Sequence, residues 1–241
     1  MSERTTVAIV PARGGSKGVP RKNLVEVAGR TLVDWAVAAG LAAVGVDRVI
    51  VSTDDAEIAR EAERAGAEVP FVRPAALSGD DVTDLPVIQH VLDHLAEHEG
   101  SVPDLVVQLR PTSPVRPAGL VDRGIEILRR RPEVDSVRAV CEAPLTPYKM
   151  WTIDDDDPDA GRLRPLLGSM TDELYNQPRQ QLPTVWWQIG VLDVVRASVV
   201  RGGSMSGATV APLCVGPELA CDIDGPEDIA RAEILLRGLE R

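Results

Sequence analysis

The chain has 241 residues, 44% of them hydrophobic, which excludes a disordered chain and, at ~150 residues per domain, fits one large domain with an insertion as well as two small ones. Its 37 acids outnumber its 26 bases for a net charge of −11, which argues against the broad basic surface of a nucleic-acid binder. No apolar run nears the ~18 residues of a membrane span and no signal-type apolar segment follows Met1, while Cys141, Cys214 and Cys221 are too scattered for a disulfide frame, so a soluble cytoplasmic protein is expected.

In chain order, the β-branched run Thr5–Val10 predicts a buried first strand ending at Pro11. A helix is expected from Leu32 to about Ala43 with Thr31 as its cap, then a strand over Arg48–Ser52. The next helix starts near Asp54, carries Ile58, Ala59, Ala62 and Ala65 on one face and stops at Gly66. A third strand is expected at Glu68–Val72, a helix at Leu85–His98 and a fourth strand at Leu105–Leu109. A helix at Leu120–Arg130 and a fifth strand at Ser136–Val140 continue the rhythm, which predicts a parallel sheet with helices on both faces.

The rhythm then fails. From Ala143 to about Thr184 there are six prolines, an acidic stretch (Asp154–Asp157, Asp159) and no long period, and Trp186 and Trp187 follow directly. This reads as an inserted arm over about 143–190 within a single 1–241 domain, with the Asp run a solvated loop. Val191–Val195 and Thr209–Val215 read as further strands, and Pro226 opens a last helix to Leu239.

Only three of the basic residues are lysines, Lys17, Lys22 and Lys149. Lysines that survive a bias toward arginine are candidates for chemistry that needs a compact ammonium. Two of them lie in Pro11–Asn23, PARGGSKGVPRKN, which also holds Arg13 and Arg21 and no acid. A Gly-rich basic loop at the carboxyl end of a sheet strand can cradle an anion on its amides, and phosphate is the natural ligand. Neither the Walker A spacing nor the dinucleotide pattern fits. Gly14-Gly15-Ser16-Lys17-Gly18 matches a hydrolase nucleophile elbow, but only one strand precedes it and the last histidine is His98. His90, His94 and His98 share a helix face at chelating spacing, and their acidic neighbours favour a solvated stripe over a zinc site.

PARGGSKGVPRKNL resembles the opening signature of the acylneuraminate (CMP-sialic acid) cytidylyltransferases. The resemblance runs on through Arg73-Pro74, Leu77 and Asp80, through Arg110-Pro-Thr-Ser-Pro-Val-Arg116, Lys149 and Gln177-Pro-Arg-Gln-Gln-Leu-Pro183, and ends in Asp222-Ile-Asp224. It implies a Rossmann-like three-layer α/β/α nucleotidyltransferase domain with a mostly parallel sheet and an inserted dimerisation arm. It implies that CTP and an acidic 2-keto sugar of the nonulosonate type give a CMP-sugar and pyrophosphate, with Mg²⁺ (Mn²⁺ as an alternative) and a homodimer.

Carried over residue by residue, the resemblance makes Lys22 and Arg13 the catalytic phosphate clamps, on the α-phosphate and the triphosphate tail. Gly14, Ser16, Asn23, Arg73 and Asp80 join them as nucleotide-binding residues, Asn23 and Arg73 reading the base. Lys149, Arg179, Gln180 and Arg110 fall at positions that face the acceptor, although Arg179 and Gln180 also suit a polar contact at the dimer seam. Asp222 and Asp224 are two apart, which in extended chain puts both carboxylates on one face and suits Mg²⁺. The same stretch, Asp224-Gly-Pro-Glu-Asp228, is also a helix entry, and both roles can hold.

Two positions depart from the family pattern. Arg110 stands where a Gln usually precedes Pro-Thr-Ser-Pro, and Ile189 where an Asn usually precedes Gly190. Arg offers only donors and Ile no polar group, so the expectation is an acceptor with a second anion or fewer polar substituents than N-acetylneuraminate. Other readings left open are cytidylyl transfer to another anionic acceptor, such as a phosphonate or a different keto sugar acid, and a nucleotide-binding module without turnover.

Overall fold

The computed structural model describes residues 5–16, 18–157 and 159–239, so Lys17 lies outside the described residues. Among the described residues ten strands and six α-helices follow one another, beginning with β1 (Thr6–Pro11), β2 (Glu26–Val27), β3 (Arg30–Thr31), α1 (Leu32–Leu41), β4 (Arg48–Ser52), α2 (Ala56–Arg64), α3 (Asp84–Glu99) and β5 (Leu105–Gln108). Then come α4 (Leu120–Arg130), β6 (Ser136–Glu142), β7 (Trp151–Ile153), β8 (Leu163–Pro165), β9 (Trp186–Arg196), α5 (Ala197–Arg201), β10 (Val210–Cys214) and α6 (Pro226–Leu239).

Six strands form one sheet in the order β10-β6-β9-β5-β1-β4, parallel except for β9, which runs antiparallel to both neighbours. Alternation along β1 divides the core in two. Ala8 and Val10 face one side, where Val33, Val37, Ile58, Ile125 and Leu236 pack from α1, α2, α4 and α6. Val7 and Ile9 face the other, against Ile88, Val91, Leu92 and Leu95 of α3 and Val200 of α5. The result is the three-layer α/β/α arrangement that the resemblance implied.

Local signals place the helices. Thr31 Oγ1 accepts the Asp34 amide to cap α1, and Asp55 accepts the Glu57 and Ile58 amides to cap α2. Gly100 closes α3 in the left-handed region at φ 66°. The expected strand at Glu68–Val72 does not form: only Ile50 and Glu68 bridge, and the chain then turns inward so that the Arg73 amide meets the Thr53 carbonyl at 2.8 Å. Pro70 has no N–H to give a ladder, and beyond it the chain buries the Arg73 side chain.

Between β6 and β9 the chain leaves the sheet. It makes a small antiparallel pair, β7 with β8, and 3-10 turns at Pro147–Lys149, Leu174–Asn176 and Arg179–Gln181, with Trp151 and Tyr175 in ring contact at 4.3 Å. Trp186 and Trp187 already belong to β9, paired with Glu142 and Cys141, so the sheet resumes before residue 190.

Candidate active site

Strand β1 has β4 on one side and β5 on the other, which makes its carboxyl end the switch point where an open α/β sheet binds ligands. A cleft of about 260 Å³ lies there. Arg13, Ser16, Lys22, Asn23, Arg73, Asp80 and Arg110 all line it, together with Asp84 at the start of α3. The loop after β1, the segment after β4 and the segment after β5 thus converge on one cleft.

The loop cations are not bare. Arg13 donates to the Gly79 carbonyl at 2.6 Å and pairs with Asp80 at 2.9 Å. Arg21 pairs with Asp55 at 3.2 Å and Glu57 at 2.9 Å, and the Gly14 amide donates to Asp54 at 2.9 Å. Acids from the β4–α2 turn therefore offset part of the local positive charge that the sequence shows. Asn23 is buried and its side-chain amide donates to the Arg13 carbonyl at 2.8 Å, so it ties the two ends of the loop together.

Arg73 is 4% exposed, donating through Nε to Ser52 Oγ at 3.0 Å and through Nη2 to the Ser52 carbonyl. Burial pushes its guanidinium below the ordinary arginine value. It is thereby fixed at the end of β4, with its edge in the cleft.

Opposite the loop stands the segment before α6. Asp222 and Asp224 are exposed on either side of the buried Ile223, the alternation of extended chain, and the Ile223 amide pairs with the Thr112 carbonyl at 2.8 Å. Asp222 accepts from Ser113 Oγ at 3.3 Å, and Asp224 accepts from Lys22 Nζ at 3.1 Å. Asp228 accepts the amides of Asp224 and Gly225 at 2.9 and 2.8 Å, so the helix-entry role is realised beside the carboxylate pair. The loop and this segment nearly touch: a Cβ on Gly18 would lie 2.4 Å from the Asp224 carbonyl oxygen. Hard carboxylate oxygens projecting beside a phosphate-type loop are a donor set that fits Mg²⁺.

Arg110 donates to Asp193 at 2.8 Å, to Asp84 at 2.7 Å and to Gln108 at 3.2 Å. Arg116 is half-buried and donates to the Arg110 carbonyl and the Val191 carbonyl, both at 2.7 Å, which holds the post-β5 segment against β9. Ile189 is buried in the core. Asp84, Asp193 and the holding role of Arg116 were not singled out from sequence; no local motif marks them, because their partners are distant along the chain.

Lys149, Arg179 and Gln180 lie apart from this cleft. Lys149 is exposed in a 3-10 turn. Arg179 donates to the carbonyls of Pro144 and Ala143 at 3.2 and 3.1 Å, and with Gln180 it lines a separate hollow of about 330 Å³ at the base of the arm. Ser16 sits in irregular chain rather than on a strand-to-helix turn, which removes the elbow geometry. Among the described residues no group of three His, Cys, Asp or Glu side chains could hold a metal, and His90 instead meets Phe71 edge-on at 4.6 Å.

Residues 7–164 match the sequence profile of the family described as Cytidylyltransferase. The chain belongs to the cytidylyltransferase family. Within it, the chain is 37% identical over 109 residues to the pseudaminic acid cytidylyltransferase of Campylobacter jejuni, a stretch covering 45% of this chain and 47% of that relative. It is also 37% identical over 147 residues to the CMP-N,N'-diacetyllegionaminic acid synthase of Legionella pneumophila, covering 60% of each. These matches span about half to three-fifths of the curated relatives' own length. In three dimensions the chain is similar to a CMP:2-keto-3-deoxy-manno-octonic acid synthetase complexed with CTP, at a TM-score of 0.69 and 16% identity over 97% of this chain and 99% of that one. At that identity the likeness concerns the fold of this cytidylyltransferase, not its substrate.

Proposed function

We propose that the protein transfers CMP from CTP to an acidic 2-keto sugar of the nonulosonate type and releases pyrophosphate. The observation that carries this reading is the convergence of Arg13, Lys22, Ser16 and Asn23 at one switch-point cleft, with Lys22 tied to the Asp222–Asp224 segment by its 3.1 Å contact with Asp224. The relatives named for pseudaminic and legionaminic acid support an acidic sugar as acceptor.

In this reading an acceptor hydroxyl loses its proton to water and its oxygen bonds to the α-phosphorus while the bond from that phosphorus to the bridging β-phosphate oxygen breaks, and the electron pair leaves on pyrophosphate. Charge builds on the phosphoryl oxygens, and the chain's task is to position and neutralise. Lys22 supplies a compact ammonium to the α-phosphate and Arg13 a planar fork to the triphosphate tail. Arg73 and Asn23 read the cytosine from the β4 side, with Gly14, Ser16 and Asp80 around the nucleotide. Asp222 and Asp224 would hold Mg²⁺ (Mn²⁺ as an alternative), which when bound supplies further positive charge to the phosphates.

The arm completes the reading. Leu145, Met150, Trp186 and Trp187 are exposed apolar side chains gathered at its base. A homodimer would cover them, and would bring Lys149, Arg179 and Gln180 toward a neighbouring cleft. Among the described residues no helix is long and apolar enough to cross a membrane, and a CTP-consuming reaction belongs with the cytoplasmic nucleotide supply.

A thermal-shift panel of CTP, UTP, ATP and GTP with Mg²⁺ tests the nucleotide half. A ligand at 100 times its Kd stabilises by ~2.7 kcal/mol, so CTP alone should raise the melting temperature clearly. Equal shifts with all four nucleotides would contradict a cytosine-reading site.

A further inference from the structure

Arg13 is held at both ends. Its carbonyl accepts from the buried Asn23 side chain at 2.8 Å, and the Ala12 amide just before it donates to the Ser52 carbonyl at 2.9 Å. At the other end Nη1 donates to the Gly79 carbonyl at 2.6 Å, and Nη2 stands 2.9 Å from Asp80 Oδ1. The Gly79 carbonyl also accepts the Val82 amide at 3.3 Å, so the turn that carries Asp80 is itself tied down. A guanidinium offers five N–H donors, and a carbonyl and a carboxylate can fix its plane while others remain for a ligand.

The need for such a hold lies beside it. Arg73 lines the same cleft, fixed by its burial against Ser52. Burial is the main reason its guanidinium falls below the ordinary arginine value, and the nearby positive charge of Arg13 adds to this, against Asp54 and Asp84. Two like charges in one cleft push apart. An unheld Arg13, its side chain 32% exposed, would swing toward solvent and regain its rotamer freedom. Asp80 opposes both, as a counter-charge and as an acceptor on the segment that Arg73 anchors.

Asp80 is poorly suited to meet a triphosphate itself. An ionised carboxylate turned to phosphate oxygens repels them and has no proton to donate. On the cleft wall, its side chain 37% exposed, it gains a part in binding that anion through the cation it holds.

We infer that Asp80 is a positioning residue: it holds the Arg13 fork in the cleft for the triphosphate tail and acts on CTP only through Arg13. This rests on the proposed reading of the cleft as the CTP site. A preformed fork binds without first ordering a long side chain, so the loss on removing Asp80 falls on the tail and not on the nucleoside.

Calorimetric titrations of CTP and CMP, with Mg²⁺ and no sugar, test it in wild type, Asp80→Asn, Arg13→Ala and the double variant. CMP keeps the base, the ribose and the α-phosphate and lacks the tail. Asp80→Asn should weaken CTP about tenfold, as for a lost hydrogen bond to a charged group, and leave CMP within about twofold. In the Arg13→Ala background the same change should weaken CTP no further, the non-additivity of a residue that acts through its neighbour. Asp80→Ser takes the place of Asp80→Asn in the cycle if that variant does not fold. CTP binding that is unchanged or tighter in Asp80→Asn, an equal loss for CTP and CMP, or an additive double variant overturns the inference. A wild type that binds no CTP overturns the reading of the cleft itself.

Discussion

Lys22 Nζ and Asp224 Oδ1 stand 3.1 Å apart although 202 residues separate them, with the lysine side chain 11% exposed and the aspartate 82%. The contact ties the loop after β1 to the segment that enters α6, with the lysine lining the cleft and the aspartate facing solvent.

Lys22→Ala should abolish turnover while the protein remains folded, because in the proposed reaction the removed charge would meet the transferring phosphoryl group. Losing one such donor costs on the order of 10²–10³ in rate. Lys22→Arg should fail nearly as badly, since a planar fork does not replace a compact ammonium in a side chain this enclosed. Steady-state kinetics with circular dichroism as the folding control measures both, and a near-normal rate for Lys22→Arg would contradict the argument from lysine.

Asp224→Asn should raise the Mg²⁺ concentration needed for half-maximal rate and lower the rate more than it weakens CTP binding. Superimposable Mg²⁺ titrations of variant and parent would leave Asp224 only the loop-closing role. Asp228, which accepts the Asp224 and Gly225 amides, predicts a different phenotype: Asp228→Ala should cost on the order of 1 kcal/mol of stability through the lost helix entry, read by urea unfolding.

Gly18→Ala should separate the loop from the Asp222–Asp224 segment. The new Cβ would lie 2.4 Å from the Asp224 carbonyl oxygen, and because that atom is backbone the conflict cannot be relieved by a rotamer change. The expected result is a raised KM for CTP and a lower rate, with the melting temperature changed by only a few degrees. Parental kinetics would show that the two segments can part without cost.

His90 gives the pH dependence. Burial lowers its pKa from the ordinary 6.5, and the neighbouring His94 and Arg73 act the same way, against weaker opposing effects of Asp93 and Glu97. Well above pH 6.5 neither folded nor unfolded chain carries the proton, so the group is silent. As pH falls through 6.5 the unfolded chain takes up the proton first, and native stability falls until the lowered native value is passed. Urea midpoints measured from about pH 8 to 5 should therefore fall more steeply for wild type than for His90→Leu. Parallel curves would contradict the assignment.

Much of this fold is legible in the chain, and the reasons differ by element. Arg48–Ser52, Leu120–Arg130 and Pro226–Leu239 have the bounds the sequence predicts, because a β-branched run, an apolar face and a proline entry each act locally. The Glu68–Val72 run misleads because Pro70 has no N–H to give a ladder, and beyond it burying Arg73 against Ser52 is a tertiary demand. The direction of β9 was not legible, since a period of two is the same in either sense, and its early start at Trp186 follows from pairing with the end of β6 across a register shift between Arg138 and Val140. The cleft residues Arg13, Lys22, Asn23 and Arg73 were legible as a motif. Their restraints were not, because Asp80, Asp54 and Asp224 reach them from other loops, and Asp84 and Asp193 meet Arg110 from 26 and 83 residues away.

The most direct test of the central claim is product identification from the purified protein with CTP, Mg²⁺ and a mixture of acidic 2-keto sugars, following pyrophosphate and the nucleotide products together. The account predicts pyrophosphate and one CMP-sugar in equal amounts, dependent on CTP and on the sugar, and lost in Lys22→Ala. Pyrophosphate release without a sugar adduct, or an adduct formed equally well from UTP, would contradict it.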